Sequence, residues 1–217
     1  MPDLKKLVLF GAGGMGREVA YLVEKINDPH PQYELLGFVD DSPFDDHAQI
    51  GGYPVLGDTD WLIAHRDEVV CTCCIGNAGV KAKIQERLSQ QGVKFESLIA
   101  ADVDVPSSTS IGPGCVIYPE VGLSVDCQIG AGVLLNSRTT VGHDSTIGDY
   151  SSVMTGTGIS GSCHIGREVN IGGHAFLIPG RRIGDRATVA AGSVVFSHVK
   201  AGTTVLGNPA KRMKSIE

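Results

Sequence analysis

The feature that most constrains this chain is an aliphatic residue at every sixth position between residues 105 and 195. Sixteen consecutive positions keep this register, and most are followed four residues later by a small or β-branched residue. Glycine often comes directly after the aliphatic residue, as in Ile129-Gly130 and Ile147-Gly148. A period of six matches neither the α-helical period of about 3.6 nor the period of about 2 of an ordinary strand. It predicts a parallel β-helix of short strands and tight corners, with the aliphatic side chains inside.

The composition of the chain favours a folded protein of one large or two small domains. The 217 residues are 42% hydrophobic, and 29 glycines suit a turn-rich repeat. A net charge of −6 argues against nucleic acid and against a basic membrane-binding face. The apolar runs are too short to span a bilayer, and the N-terminus does not resemble a signal peptide. We therefore expect a cytoplasmic protein that binds neither nucleic acid nor membrane.

Six cysteines raise the possibility of disulfides or a zinc site. Cys127 and Cys163 would fall in one column of the β-helix but two coils apart, roughly 9–10 Å, which is too far for a disulfide. Cys71, Cys73 and Cys74 lie in an apolar strand without the paired C-x-x-C spacing of zinc sites. We expect six buried free thiols.

Before the repeat, the chain alternates strands and helices. Strands are expected at residues 7–10, 35–39, 69–75 and 93–99, helices at 17–26, 59–65 and 80–91, and a loop at 42–58. This order predicts about half of a doubly wound α/β fold. We expect two domains, an α/β nucleotide-sugar-binding domain at residues 1–99 and a β-helix domain at residues 100–217.

A glycine loop joins the first strand to the first helix in the sequence Gly11-Ala12-Gly13-Gly14-Met15-Gly16. Such a loop lets the backbone approach a phosphate at a helix N-terminus, and the acidic pair Asp40-Asp41 after the second strand suits ribose hydroxyls. The loop could bind NAD, but four strands make one mononucleotide-binding half. A nucleotide sugar also carries a pyrophosphate and is favoured, while a glycine turn used only for packing is the third alternative.

The chain as a whole resembles the acetyltransferases of nucleotide-linked amino sugars, such as the bacillosamine and perosamine N-acetyltransferases, and also the sialic acid O-acetyltransferases. Three features carry the resemblance: the small α/β domain, the hexapeptide repeat, and the segment Gly207-Asn208-Pro209-Ala210-Lys211, similar to their G-x-P-A-K motif. That segment could approach coenzyme A or could only cap the last coil. The resemblance implies an all-β left-handed parallel β-helix, a homotrimer and acetyl-CoA as co-substrate.

The local motif that resembles the family most specifically contains Val141-Gly142-His143-Asp144-Ser145. Acetyl transfer from a thioester to an amine needs a base that works near neutral pH, and imidazole suits that role. His143 is therefore the expected base, and Asp144 matches the acidic residue that follows the family's catalytic histidine. Gly161 lies one coil further in the same column, where a missing side chain would leave room for pantetheine.

Further site residues are implied by the resemblance alone. The positions matched to acetyl-CoA are Ser152, Gly161, Gly173 and Ala191, and those matched to the nucleotide sugar are Gly13, Gly14, Met15, Asp40, Asp41, Gly76, Asn77 and Lys81. Two of these depart from the family pattern, since relatives often have histidine at position 15 and some have histidine at position 152.

The resemblance implies an acetyl-CoA-dependent N-acetyltransferase of a nucleotide-linked 4-amino-4,6-dideoxy sugar. Two alternatives remain: O-acetylation of a sialic acid or related sugar, and a β-helix scaffold that binds a nucleotide sugar without catalysis. A zinc enzyme is not expected, because His143, His164 and His174 differ by 21 and 10 positions and fall in different columns. We expect no metal.

Overall fold

A computed structural model describes residues 4–28, 30–45 and 48–213. The N-terminal part forms, in order, β1 (Lys5–Phe10), α1 (Gly14–Ile26), β2 (Tyr33–Val39), β3 (Gln49–Ile50), β4 (Tyr53–Gly57), α2 (Thr59–Ala64), β5 (Val70–Cys73) and α3 (Ala78–Gln90). No helix in these ranges is long and apolar enough to cross a membrane.

The strands of the N-terminal domain form one sheet in the order β3-β4-β2-β1-β5, parallel except at β3. One face packs against α1 and the other against α2 and α3, as alternate buried residues of β1 show: Leu7 and Leu9 lie in one core cluster, Val8 and Phe10 in the other. This is the layered arrangement expected of alternating strands and helices.

Two predictions for this domain were wrong. The expected loop at residues 42–58 contains β3 and β4, and β4 extends the sheet beside β2. The strand expected at residues 93–99 contributes only an isolated bridge from Phe95 to Cys71, and its end belongs to the β-helix. Strands as short as β3 and β4 give little alternation in the sequence, whereas the alternation of Val93, Lys94, Phe95 and Glu96 predicted a strand of which only the bridge at Phe95 forms.

The remaining strands are two or three residues long. They are β6 (Leu98–Ile99), β7 (Ser110–Ile111), β8 (Val116–Ile117), β9 (Gly122–Leu123), β10 (Gln128–Ile129), β11 (Leu134–Leu135), β12 (Thr140–Val141), β13 (Thr146–Ile147), β14 (Ser152–Val153), β15 (Gly158–Ile159), β16 (His164–Ile165), β17 (Asn170–Ile171), β18 (Phe176–Leu177), β19 (Arg182–Ile183), β20 (Thr188–Val189), β21 (Val194–Val195), β22 (Thr204–Leu206) and β23 (Lys211–Arg212).

These strands build a three-sided β-helix that is parallel except for β23, which pairs antiparallel with β22. Its sheets are the docking sheet (β6, β8, β11, β14, β17, β20, β22, β23), the polar sheet (β7, β10, β13, β16, β19) and the small-residue sheet (β9, β12, β15, β18, β21). Residues 18 apart are partners, as in Ile129↔Ile147 and Val141↔Ile159, which confirms three hexapeptides per coil. The docking sheet begins at Leu98, two residues before the boundary expected at residue 100.

Each corner places one residue in the left-handed region of backbone space. Asn136 accepts a 3.2 Å hydrogen bond from the Thr139 N–H while Arg138 has φ 61°, the pattern of a type II turn. The glycine after the aliphatic residue has another cause: a Cβ on Gly112 would lie 2.7 Å from the backbone nitrogen of Ala131 in the next coil. Close stacking of the coils therefore requires glycine there.

The small residues at the corners also satisfy buried polar groups. The hydroxyl of Ser151 donates to the carbonyl of Gly166 at 2.8 Å and accepts from the N–H of Val169 at 3.0 Å. Thr157 and Ser145 make the same kind of bond to corner carbonyls. A hydroxyl or thiol there replaces water that the closed interior excludes.

The N-terminal domain lies on the docking sheet. Leu98, Val116 and Leu134 point outward from that sheet and are buried in the same cluster as the α1 residues Val19 and Val23. The glycine loop is thereby held beside the corner that follows β14. This contact decides which part of the β-helix the glycine loop faces.

The C-terminal segment closes the last coil. After β21 the spacing of six is lost, yet Val199 bridges Ile183 and β22 pairs with β20. Ala210 packs against the core and donates its N–H to the carbonyl of Val194 at 2.8 Å. These contacts are those of a cap; a contact of this segment with coenzyme A stays a prediction.

Candidate active site

His143 and Asp144 form a hydrogen-bonded pair at a corner of the β-helix, between β12 and β13. The distance from His143 Nδ1 to Asp144 Oδ2 is 2.7 Å, and the two side chains are 62% and 60% exposed. The backbone beneath is held by both neighbouring coils, because His143 accepts from the N–H of Ser162 and Asp144 donates to Val125. The corner thus fixes the ring orientation and leaves the ring accessible.

Gly161 lies under the imidazole ring of His143. A Cβ on Gly161 would approach His143 Nε2 to 2.6 Å and Cε1 to 2.7 Å. The space left by the missing side chain is therefore filled by the ring itself, whereas we expected it to be open for pantetheine. A side chain at position 161 would push the ring of His143 away, so the ring can occupy this position only above a glycine.

The glycine loop leaves the N-terminus of α1 open. Gly13 is the N-cap and makes no side-chain cap, and a Cβ on Gly13 would meet nothing within 4 Å among the described residues. Gly11 and Gly16 differ, since a Cβ on Gly16 would overlap the carbonyl of Gly11. Packing explains Gly16 but not Gly13 or its exposed neighbour Gly14, and free N–H groups at a helix start suit a phosphate.

Asp40 ties the glycine loop to the end of β2. Its carboxylate accepts the N–H of Ala12 at 2.8 Å and the N–H of Ser42 at 2.8 Å. Burial alone would raise the pKa of Asp40, but these hydrogen bonds outweigh it and lower the pKa. Asp40 remains charged at neutral pH and holds the loop in place.

Asp41 faces away from the glycine loop. It accepts the N–H of Thr59 at 2.9 Å and the guanidinium of Arg87 at 3.4 Å. The pKa of Asp41 is lowered, since these bonds and the charge of Arg87 outweigh its partial burial. The two carboxylates therefore have different partners: Asp40 holds the glycine loop, and Asp41 binds Thr59 and Arg87. A contact of either with ribose stays a prediction.

A cavity of about 560 Å³ opens beside Asp40 at the carboxyl end of the sheet. Its lining includes Ser42, Phe44, Gly57 and Trp61. Cavities of this size hold small ligands in many proteins. Asp40 lines this cavity and also holds the glycine loop through the N–H of Ala12.

Lys81 and Ser152 lie buried between the two domains. Lys81 Nζ donates to Ser152 Oγ at 2.9 Å and to the carbonyl of Ser151 at 3.3 Å. Burial lowers the pKa of Lys81 to about 8, although the nearby thiols of Cys73 and Cys115 oppose this. Both side chains are buried and hydrogen-bonded to each other in this structure. A contact of Lys81 or of Ser152 with a ligand stays a prediction.

Asn77 caps α3, where its side chain accepts the N–H of Val80 at 3.0 Å. The next N–H, of Ala78, donates to Asn170 Oδ1 of the β-helix at 3.1 Å. Asn170 was not expected among the site residues, although the period of 18 places it beside Ser152. Gly76 precedes this cap at the junction of the domains.

Gly173 and Ala191 share one column at the corner before the small-residue sheet. A Cβ on Gly173 would lie 3.1 Å from the carbonyl of Thr155 and 4.0 Å from Met154 Cβ. Met154 was also not expected, since the period of 18 places Thr155, and not Met154, in the column of Gly173. His143 follows a strand of that sheet, so Gly173 and His143 lie at opposite ends of its strands.

The structure holds no evident metal centre within the described ranges. No group of three or more His, Cys, Asp or Glu side chains could hold an ion there. All six cysteines are buried and free. Burial raises the pKa of the Cys73 and Cys115 thiols to about 11, so both stay protonated at neutral pH.

The chain is similar in sequence to proteins of known family. Residues 6–88 match the PglD N-terminal domain family. The chain is 32% identical over 212 residues to the GDP-perosamine N-acetyltransferase of Escherichia coli O157:H7, a match that covers 95% of each chain.

Solved structures agree over nearly the whole length. The acetyltransferase domain of PglB from Neisseria gonorrhoeae FA1090, in complex with acetyl coenzyme A, has a TM-score of 0.89 and 30% identity, covering 97% of this chain and 100% of that one. PerB from Caulobacter crescentus, in complex with CoA and GDP-perosamine, has a TM-score of 0.86 at 23% identity, covering 98% and 99%. The expected α/β domain followed by a left-handed parallel β-helix is confirmed.

Proposed function

The chain belongs to the PglD-like family of sugar N-acetyltransferases, and we propose that it transfers the acetyl group of acetyl-CoA to the 4-amino group of a nucleotide-linked 4-amino-4,6-dideoxy sugar. It is an acetyl-CoA-dependent enzyme. The observation that carries the proposal is the exposed His143–Asp144 pair, 2.7 Å apart, held at a corner of the repeat. We propose that the reaction takes place in the cytoplasm.

The proposed chemistry is direct acetyl transfer with His143 as general base. The amine nitrogen attacks the thioester carbonyl carbon, and His143 Nε2 accepts the proton that the nitrogen loses as the C–N bond forms. Asp144 accepts a hydrogen bond from the Nδ1–H of His143, which favours the tautomer whose Nε2 lone pair is free. When the C–S bond breaks, His143 returns the proton to the sulfur, giving an acetamide and free coenzyme A.

We propose that the nucleotide sugar lies along the N-terminal domain. The open N-terminus of α1 at Gly13 and Gly14 would take the pyrophosphate, and the cavity lined by Phe44 and Trp61 would take the nucleoside. The sugar would then lie towards Gly76 and the β-helix corner. Asp40 would hold the loop and could reach the ribose from the cavity wall.

We further propose a homotrimer in which neighbouring subunits share each active site. Ser137 lies in the column of Gly173 and precedes His143 by six residues. An extended chain of six residues spans at most about 20 Å, so His143 and that column lie at opposite ends of one hexapeptide. A second copy could bring its His143 to the Gly173 corner of the first. Closed cyclic symmetry would repeat that contact three times.

The test is a screen of nucleotide-linked amino sugars with acetyl-CoA, followed by mass spectrometry. We expect one acetyl group to be added to a 4-amino sugar nucleotide, and NMR to place it on the 4-amino nitrogen. The His143→Ala protein is the matched control for transfer without the base. Acetylation of a hydroxyl group, or binding of nucleotide sugars without any turnover, would contradict the proposal.

A further inference from the structure

The C-terminal end of the chain carries a charge opposite to that of the rest. Residues 178–217 contain seven of the 18 lysines and arginines but two of the 24 aspartates and glutamates. The net charge of −6, from which we expected no basic membrane-binding face, therefore describes neither part of the chain. A basic segment in an otherwise acidic chain indicates an anionic partner.

The fold gathers these side chains around the last coils of the β-helix. Six exposed cationic or titratable side chains there form what we call the basic end: Arg182, Arg186, His198, Lys200, Lys211 and Arg212. His198 Nδ1 accepts the N–H of Arg182 at 3.1 Å, which joins the last strand of the polar sheet to the cap. A cavity of about 280 Å³ is lined by His198, Lys200 and Arg212 together. The basic end is therefore one connected surface.

Carboxylates do not neutralise the basic end. Among the described residues, none of its side chains forms an ion pair, whereas Arg138 and Arg167 in earlier coils pair with Glu120 and Glu86. The nearby Asp185 accepts the N–H of Arg167 at 2.9 Å, a bond to the preceding coil. Cations without a carboxylate partner in the chain remain available to attract an anion from outside.

Two large apolar side chains are exposed at the same end. Phe196 follows β21 and is 49% exposed, and Leu206 ends β22 and is 48% exposed. Leu206 lies opposite Lys211 in the antiparallel pair of β22 and β23, so an apolar and a cationic side chain are neighbours there. Cations that bind lipid phosphates beside apolar groups that enter the acyl boundary are the combination typical of membrane-surface binding. A nucleic acid would offer phosphates but no apolar layer for Leu206.

We propose that the basic end docks on the surface of an anionic phospholipid bilayer, with Phe196 and Leu206 entering its interface. The cations are distributed over the polar sheet, a corner and the terminal strand β23, as Arg182, Arg186 and Arg212 show. This spread suits a surface of many phosphates better than one small anion. The same surface repels the acidic remainder of the chain, so charge alone orients the protein with its C-terminal end towards the lipid.

The test is co-sedimentation of the full chain with phosphatidylcholine vesicles that contain or lack phosphatidylglycerol. At low salt we expect the partition coefficient to be at least about tenfold higher with phosphatidylglycerol, because each Lys or Arg near an anionic surface adds to binding. Raising NaCl from about 0.05 to about 0.5 M should remove most of this difference, since salt screens exposed charges.

Two variants separate the cationic from the apolar contribution. Arg182→Gln/Lys200→Gln/Arg212→Gln should lower the partition coefficient on the anionic vesicles about 100-fold, or about fivefold for each charge removed. Leu206→Ser should lower it up to about tenfold, the loss expected for one apolar side chain that leaves water in part. The Tm of each variant checks its fold.

The matched control removes three exposed lysines of the N-terminal domain. Lys25→Gln/Lys83→Gln/Lys94→Gln changes the net charge by the same amount and leaves the basic end intact. It should bind the anionic vesicles as the wild type does. Equal weakening in both triple variants would show that only the net charge matters, and would overturn the proposal.

Three further results would overturn membrane docking while leaving acetyl transfer intact. The first is that the wild type does not pellet with anionic vesicles at low salt. The second is that it binds a single-stranded DNA oligonucleotide but no vesicle. The third is that the triple variant of the basic end binds vesicles normally and has a raised KM for acetyl-CoA, which would assign these cations to the phosphates of coenzyme A.

Discussion

At the scale of single residues, the turn geometry of the repeat creates the His143–Asp144 pair. Asp144 has φ 58°, in the left-handed region that recurs at the same corner position along the chain. Aspartate tolerates this region better than β-branched residues do. From it the carboxylate reaches Nδ1 of the preceding ring at 2.7 Å, so adjacent residues supply both the base and its partner.

His143→Ala should lower kcat by about 10²–10⁴-fold, the usual contribution of a positioned general base. Asp144→Asn should cost less, because the ring remains and loses only its charged partner. Steady-state kinetics at saturating substrates, with the Tm as a check on folding, measure both. A near-wild-type kcat in folded His143→Ala would remove this residue from the mechanism.

Gly161→Ala should lower kcat at least about tenfold while leaving the fold intact, because the ring of His143 must move to admit the new Cβ. Gly122→Ala is the matched control, since its Cβ would lie 3.6 Å from Thr140 Cγ2, an ordinary contact. If both variants retain wild-type kcat, the ring position above Gly161 does not matter for catalysis.

At the scale of elements, α3 fastens the N-terminal domain to the β-helix. Its N-terminus donates to Asn170, Lys81 reaches Ser152, and Glu86 pairs with Arg167. Lys81 is the costly contact, because a buried ammonium has no carboxylate within bonding distance among the described residues. Helix α3 therefore docks the N-terminal domain and buries a cation whose contribution to the free energy of unfolding depends on pH.

The free energy of unfolding should change with pH because the ammonium of Lys81 is buried. The pKa of Lys81 is about 8 in the folded state against an ordinary 10.5, so between these values the unfolded state binds more protons. Stability contributed by this group therefore rises as pH increases. From pH 7 to pH 10 the wild type should gain about 2 kcal/mol relative to Lys81→Met.

Denaturant unfolding of both proteins at the two pH values measures this difference. The Cys73 and Cys115 thiols that face the ammonium stay protonated over most of this range, with pKa values of about 11. Lys83→Met, on the exposed side of the same helix, should follow the wild type. Parallel pH profiles for wild type and Lys81→Met would show that Lys81 titrates normally.

At the scale of the whole molecule, the proposed site is divided between distant edges. His143 lies after a strand of the small-residue sheet, while Gly173 and Met154 lie at the corner before it. Phe176 stands on that sheet with 46% of its surface exposed, and its ring covers the Cβ position of Gly158. A subunit contact across this sheet would cover that ring and join the two edges.

Mixed oligomers test the shared site. Gly13→Val should block pyrophosphate binding without disturbing the fold, since a Cβ on Gly13 would meet no heavy atom within 4 Å in the described part of the chain. Gly13→Val and His143→Ala should each be nearly inactive alone, yet their co-expressed mixture should recover about one quarter of wild-type activity if neighbouring subunits share sites in a random trimer. Light scattering should give three times 22.8 kDa. An inactive mixture of folded trimers would place each site within one subunit.

The sequence alone predicted the β-helix, its period of 18, the buried thiols and the order of helices in the N-terminal domain. These follow from local patterns, because an aliphatic residue every sixth position can be buried in few ways. The pair His143-Asp144 was also visible, since its members are adjacent in the chain. The edge strands β3 and β4 were not, because two short, half-exposed strands give little periodicity.

Only the tertiary structure decided how distant segments meet. Lys81 and Ser152 are 71 positions apart, and Met15 and Met154 lie in different domains, so no local pattern could pair them. Their contacts depend on the shape and polarity of two surfaces that form only after each domain has folded. The sequence therefore determined the repeat and the chemistry of its corners, while docking decided which residues meet between the domains and which cation is buried.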